Sequence, residues 1–452
     1  MSCSIQQGKP GRGSAMILSE IENFKFSIEP QREVLKHVRM WKHRTRVPLA
    51  LFLILILCVR SFATLGKLGA MGDSLTDEYW DNGSSAVSTY ATNWPQLVVM
   101  FRGINMGPTA AQGGTNTWGE PRNAGYKYNW ARSGATSSTL LTQGQHTGLS
   151  NQASSERISY AVLAIGPNDF NPSSSAYLNI YYGFWSASQI ESYVNQSVSN
   201  IETALSTVRS AGISVLLANV IDPGPTPEVT AVFTSGTSRE RVAAAVRSVN
   251  SGVKNLAQKY QVPLMDWYGL ETAVLGSNTN LHSTVKLGNV AINLRGSDPG
   301  PPNAAPTNAF VSDGFHPNTV FQGVFANVIL QAFDTGYGAG LPLFTEQEIL
   351  SHSLIAYGGS ETLQSQIGAY TDYIILPTLP RFIAINVAGT NVALKFSTVT
   401  NQSYIIESRD DLAVSLWTTV TNNVPGSGGT MTVTNRVPPN LTQRFYRVRQ
   451  LP

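Results

Sequence analysis

Leu68-Gly69-Ala70-Met71-Gly72-Asp73-Ser74-Leu75 is an apolar run punctuated by glycine that ends in Gly-Asp-Ser-Leu. Its texture is that of a buried strand opening into a turn, and it presents Ser74 where the strand stops. Far downstream lies Asp313-Gly314-Phe315-His316-Pro317. A serine at a strand end and a distant Asp-x-x-His supply the three residue types of a nucleophile, its base and the acid that orients the base. Such a set is defined by roles in space and not by closeness along the chain.

Working outward, the chain from Leu65 alternates short apolar runs with amphipathic ones. Ser159–Ile165, Ser214–Ile221 and Val262–Trp267 read as buried strands. Ile190–Ser210 and Arg239–Tyr260 carry apolar residues at three- and four-residue steps and read as helices, with a further helix over Thr319–Phe333. Continuous apolar strands separated by helices predict a parallel sheet covered on both faces, an α/β/α sandwich of three layers. Ligands of such sheets bind beyond the carboxyl ends of the strands, where Ser74 and Asn168 both fall. Two polar stretches, Tyr79–Tyr128 and Leu294–Asn308, interrupt the alternation. They read equally as walls of a substrate cleft and as solvated excursions. Thr345-Glu346-Gln347-Glu348 has the form of a capping box.

Past about Pro377 the texture changes to short alternating strands, Ile383–Val387, Val392–Phe396, Tyr404–Glu407, Trp417–Val420, Thr430–Thr434 and Phe445–Val448. These predict a small all-β module, a sandwich. The module has no histidine, which points to binding of a glycan or cell surface, or tethering, and not to chemistry. The predicted organisation is an N-terminal extension and signal peptide (1–63), a catalytic domain (64–345), a helical linker (346–376) and the β module (377–452).

The 452-residue chain has a formal charge of +3, but the basic excess sits at the front. Residues 1–63 hold ten Lys/Arg and four Glu, so the remaining 21 basic and 24 acidic residues give a net −3. That balance offers no general basic surface for nucleic acid. Lys42-His43-Arg44-Thr45-Arg46, the apolar run Leu49–Val59 and Ser61-Phe62-Ala63 have the three-part form of an export signal cleaved after Ala63. The apolar run is shorter than the ~18–20 residues that span a bilayer, so no stable membrane anchor is expected after cleavage. Met40 makes a conventional start for such a signal. Both cysteines, Cys3 and Cys58, precede residue 63. The expected mature chain therefore has no disulfide, no thiolate nucleophile and no thiolate-bound zinc. Leu55-Ile56-Leu57 lacks the small residue that a lipidated Cys58 requires.

Gly72-Asp73-Ser74-Leu75, Asn129-Trp130-Ala131-Arg132-Ser133-Gly134, Gly166-Pro167-Asn168-Asp169 and Asp313-Gly314-Phe315-His316 occur in that order over about 250 residues. This series resembles the four signature blocks of the SGNH (GDSL) hydrolases, and the resemblance spans about Leu65–Gly340. It implies a flavodoxin-like parallel sheet and esterase or lipase activity. By that resemblance Ser74 is the nucleophile, His316 the base and Asp313 its orienting acid. The backbone N–H groups of Ser74 and Gly134 and the side-chain amide of Asn168 form the oxyanion hole. Each block alone has a plainer reading: Ser74 as a helix N-cap, Asp313-x-x-His316 as a turn entering a helix, Gly134 and Asn168 as turn residues.

There is no Gly-x-Ser-x-Gly elbow, no phosphate-cradling Gly-x-x-x-x-Gly-Lys-Ser/Thr loop and no His-Glu-x-x-His zinc motif. No metal or organic cofactor is implied. The expected substrate is a carboxylic ester, short-chain or an acetyl group on a carbohydrate. A lipase or lysophospholipase of the same family is the alternative within the class, and a non-catalytic surface-binding protein the alternative outside it.

Overall fold

The computed structural model describes the backbone of residues 2–6 and residues 65–81, 90–400, 402–412, 416–441 and 443–451. The expected export signal over 40–63 lies outside the described residues. Ala63–Pro377 falls in one compact unit and Thr378–Pro452 in another.

In the first unit, β1 (Lys67–Gly72), β2 (Ile158–Ala164), β3 (Ser214–Ala218) and β4 (Leu264–Met265) pair in that order, all parallel. An antiparallel edge strand, Ile374–Ile375, closes the far side on β4. On the near side no regular strand among the described residues flanks β1. Irregular backbone does so instead, with Ala70 N–H donating to Tyr128 O and Trp130 and Arg132 N–H donating to Ala70 O and Gly72 O. The second signature block is thereby laid directly against the strand that ends at Ser74.

The period-two alternation of the strands assigns their side chains to two cores, as it must when both faces are covered. Leu68, Ala70, Val162, Ala164, Leu216 and Ala218 face one core with α1 (Trp94–Arg102), α6 (Trp267–Leu275) and α7 (Thr319–Tyr337). Met71, Ala161, Leu163, Val215 and Leu217 face the other. That core is completed by α3 (Gln145–Ser155), α4 (Ala187–Ser210) and α5 (Gly236–Tyr260). A shorter helix, α2 (Ser137–Thr142), precedes α3.

Three predicted boundaries move. Val262–Trp267 is strand only at Leu264–Met265, because Asp266 accepts from Gly269 N–H as an N-cap and Trp267 opens α6. The 79–128 stretch contains α1, whose Trp94 is fully buried, so part of this insertion is core. The 294–308 stretch begins as strand. A mixed sheet of β5 (Thr284–Leu287), β6 (Val290–Asp298) and β7 (Asn308–Val311) runs through it. Buried Asp298 holds the following turn by accepting from Gly300 and Ala305 N–H.

The stretch read as a linker, 346–376, belongs to the compact unit. Its helix α8 (Glu346–His352) starts at the expected box, Thr345 Oγ accepting from Glu348 N–H and Glu348 Oε2 from Thr345 N–H. The Glu346 carboxylate accepts from Thr362 and Leu363 N–H. The segment then supplies the antiparallel edge strand.

In the second unit, β8 (Phe382–Ala388), β9 (Asn391–Ser397) and β12 (Thr430–Arg436) form one antiparallel sheet. Strands β10 (Ser403–Arg409), β11 (Thr418–Pro425) and β13 (Gln443–Leu451) form another, whose β13 also pairs with Ser2–Gln6. Leu394 and Phe396 share a buried cluster with Tyr404, Ile406 and Tyr446. Since this cluster is separate from both cores of the first unit, a chain ending at Pro377 is expected to fold by itself. A single cooperative melt with near-native far-ultraviolet dichroism checks this; a loss of cooperative unfolding would show that the strand-rich unit is required.

Candidate active site

Gly72 ends β1 at a point with no room for a side chain, since a Cβ there would lie 2.3 Å from Ala164 O. Gln145 clamps the same residue from α3, its Oε1 accepting from Gly72 N–H at 2.9 Å and its Nε2 donating to Gly72 O at 3.1 Å. The chain then turns. Thr76 and Asp77 N–H donate to Asp73 O, and Leu75 N–H donates to Asp73 Oδ1. Ser74 stands on this fixed turn with 6% of its surface exposed.

His316 arrives from the turn between β7 and α7. Its Nε2 lies 2.7 Å from Ser74 Oγ, and its Nδ1 lies 2.6 Å from Asp313 Oδ2. Asp313 Oδ1 accepts from the N–H groups of Phe315 and His316, which fixes the carboxylate. Burial by itself would raise the Asp313 carboxyl. The hydrogen bond to the His316 ring and the two backbone donors outweigh it and hold the group below its ordinary value. Tyr79 braces the imidazole edge-to-face at 6.3 Å, its hydroxyl donating to Pro317 O and accepting from Gln322 Nε2. The three side chains named from the sequence as nucleophile, base and acid thus meet in one hydrogen-bonded chain.

Asn168 lies in the short 3₁₀ turn Pro167–Phe170 beyond β2 and lines the same pocket as Ser74. One of its amide N–H groups donates to Ala135 O at 3.1 Å, which fixes the amide plane. Gly134 has φ +77°, the left-handed region, with open space where a Cβ would stand. It is not among the residues lining the pocket. Its loop is nevertheless tied to the serine turn, with Ser133 N–H donating to Asp77 Oδ2 and Asn129 Nδ2 to Thr76 O. The remaining pocket walls are Asp73, Leu75, Pro167, Ile221, Pro223, Thr226 and Phe315. Among the described residues, neither polar insertion, 79–128 or 294–308, contributes a wall.

Sequence reading passed over two positioning residues. Gln145 sits in a helix with no motif around it and carries no signal. Asp169 follows Asn168 in the third block and is buried. Its carboxylate accepts from Ser137 N–H and Oγ, which ties the Asn168 turn to the start of α2 just beyond Gly134. That adjacency was the available signal.

The turn also concentrates buried acids. Burial raises Asp73 to about 7 and Asp77 to about 7, and burial together with the Asp77 charge raises Glu78 to about 8. Asp77, Glu78 and Asp81 bring carboxylate oxygens within 4.8 Å of one another. These carboxylates already accept from Ser133, Tyr126 and Ala124 N–H, so their evident work is to hold the 119–133 loop against the serine turn.

With this geometry established, the comparisons with known proteins can be placed beside it. The sequence profile of GDSL-like lipase/acylhydrolases matches residues 68–329, more than half of the chain and all four blocks. The chain belongs to the GDSL-like lipase/acylhydrolase family. Among solved structures, it is similar to a GDSL-like lipase from Bacteroides thetaiotaomicron, with 15% identity over 60% of this chain and 88% of that one, TM-score 0.32. It is also similar to an acetyl-xylooligosaccharide esterase from Geobacillus stearothermophilus, with 14% identity over 62% and 97%, TM-score 0.35. No curated protein matches. The family makes this chain a member of a group of ester-cleaving acylhydrolases.

A carboxyl whose native pKa exceeds its unfolded one binds more protons when folded, so its contribution to stability falls as pH rises. For Glu78 the window runs from about 4.5 to about 8. Glu78→Gln is expected to flatten the decline of unfolding free energy between pH 5.5 and 7.5, by up to ~1.4 kcal/mol per pH unit for one proton. Urea titrations of both proteins at several pH values measure it; parallel slopes would exclude Glu78 as the titrating group.

Proposed function

We propose that the protein hydrolyses carboxylic esters through a covalent acyl-enzyme on Ser74. The observation that carries this reading is the unbroken chain Asp313–His316–Ser74 at 2.6 and 2.7 Å. A serine hydroxyl is a poor nucleophile at neutral pH and needs a base in contact. His316 Nε2 accepts the Ser74 proton as Oγ bonds to the ester carbonyl carbon. Asp313, an acceptor at Nδ1, fixes the tautomer and stabilises the imidazolium. The bond to the alcohol oxygen then breaks, His316 returns the proton to that oxygen, and the alcohol leaves. Water repeats the sequence on the acyl-enzyme, releasing the acid and restoring Ser74.

The charge on the tetrahedral oxygen is assigned to the backbone N–H groups of Ser74 and Gly134 and the second amide N–H of Asn168. Removal of one such donor commonly costs ~3 kcal/mol of barrier. The reading includes export, which the basic, apolar and small-residue order of residues 42–63 supports, and a binding or tethering role for the histidine-free strands after Pro377.

Turnover of p-nitrophenyl acetate by wild type and variants tests the chemistry. Ser74→Ala is expected to lower kcat by at least ~10³-fold, His316→Ala by a similar factor, and the double variant by little more, because such residues act as a unit. A fluorophosphonate should add its mass to the wild-type peptide carrying Ser74 and to no peptide of Ser74→Ala. Equal turnover by wild type and Ser74→Ala would refute the assignment.

A further inference from the structure

Three walls of the Ser74 pocket, Ile221, Thr226 and Phe315, are also walls of a second cavity directly behind it. The rest of this cavity is apolar, furnished chiefly by Leu270 and Val274 of α6, Phe310 of β7, and Phe321 and Val324 of α7. We infer that this cavity receives the acyl chain of the ester, and that its size selects a short straight chain over both acetyl and a long chain. The inference rests on the reading of Ser74 as the nucleophile and adds to it the acyl group.

The alcohol leaves after the first half-reaction, whereas the acyl group remains on Ser74 until water releases it. A recessed apolar chamber that shares three walls with the serine pocket suits the part that remains. The chemistry of the lining then excludes polar and charged chains. Glu271 is the chamber's one ionisable group. Burial, and then the neighbouring Asp222 charge, push its carboxyl well above the ordinary range, and its Oε2 is engaged by Asp222 N–H at 2.6 Å. An alkyl chain enters such a space at a gain of about fourfold in binding for each methylene removed from water.

Size sets the length. The cavity is small, about 50 Å³, against the ~30 Å³ that one water takes in the liquid. It therefore suits a few methylenes beyond the carbonyl carbon and not a long chain. Acetyl leaves the chamber empty, and a twelve-carbon chain overruns it. Among the described residues, the two polar insertions contribute no wall to either space.

The test is the chain-length profile of the purified full chain on p-nitrophenyl acetate, hexanoate and dodecanoate, with Ser74→Ala as reference. Hexanoate is expected to exceed both others in kcat/KM by at least ~10-fold. Val324→Phe, which fills the chamber, is expected to lower the hexanoate-to-acetate ratio by at least ~10-fold. Val274→Leu, a smaller addition, should lower it by about threefold, and a thermal melt establishes that each variant is folded. A flat wild-type profile, a preference for acetate or dodecanoate, or an unchanged ratio in a folded variant overturns the chamber assignment while leaving a Ser74-dependent esterase. Hydrolysis that survives Ser74→Ala at full rate instead overturns the nucleophile reading on which the assignment stands.

Discussion

The 2.7 Å contact between His316 Nε2 and Ser74 Oγ joins side chains 242 positions apart. A hydrogen bond of that length tolerates only a few tenths of an ångström of drift. Neither side chain could hold that distance unaided. The serine end is fixed because β1 sits beside β2 in the sheet, because Gln145 grips Gly72 through both its amide atoms, and because the following turn closes on Asp73 O. The histidine end is fixed because Asp313 accepts from two backbone N–H groups as well as from the imidazole, and because Tyr79 and Gln322 hold the backbone at Pro317. Much of the architecture between residues 67 and 337 serves to bring two short turns into one place.

The cost of this placement shows in the buried acids. Asp73, Asp77 and Glu78 lie within six positions of one another and are all nearly inaccessible, with relative exposures of 1%, 2% and 1%. A carboxylate in such surroundings is disfavoured unless it is paired or neutral. Only Asp77 has a cationic partner, Arg132 at 3.5 Å. Glu78 accepts from the backbone N–H of Tyr126 and Asp73 from that of Leu75, and burial still raises both groups. The carboxylates exchange stability for a fixed loop, because their acceptors satisfy N–H groups of an irregular segment that has no strand of its own to pair with. The second signature block is held by side chains where an ordinary sheet would use a ladder.

Much of the hydrolase unit was legible in the sequence for a simple reason. Strands buried on both faces must be apolar throughout, as Ser159–Ile165 and Ser214–Ile221 are, and helices packed on them must carry apolar stripes, as Ile190–Ser210 does. Ser74, His316 and Asp313 were legible because their blocks keep residue types that bare folding does not require. Other features were hidden by physical ambiguity. The Asp266 cap ended β4 after two residues, although the run Val262–Trp267 is apolar enough for a full strand, since apolar texture cannot distinguish a buried strand from the first turn of a buried helix. Trp94 sits inside a polar stretch, and only its helical neighbours Leu97 and Val98 reveal that it faces the core. Gln145 is silent in any sequence reading because its work is done against backbone atoms 73 positions away.

The same logic separates the walls of the site from the loops that surround it in sequence. From the sequence, Tyr79–Tyr128 and Leu294–Asn308 read equally as walls of the cleft and as solvated excursions. The walls instead come from residues just past strand ends, Pro167 and Asn168 after β2, Ile221 to Thr226 after β3 and Phe315 after β7. For β2 and β3 the parallel sheet makes this the natural outcome, because its parallel strands end on one side and their next few residues must share that space, and Phe315 joins them from the turn after β7 of the mixed sheet. The insertions are drawn away to other work, α1 into the core and Asp298 into its own turn. Under the acyl-chamber proposal, apolar residues of α6 and α7 and the turn at Phe315 would set the acyl group, so a change in that group would be made by altering their volume.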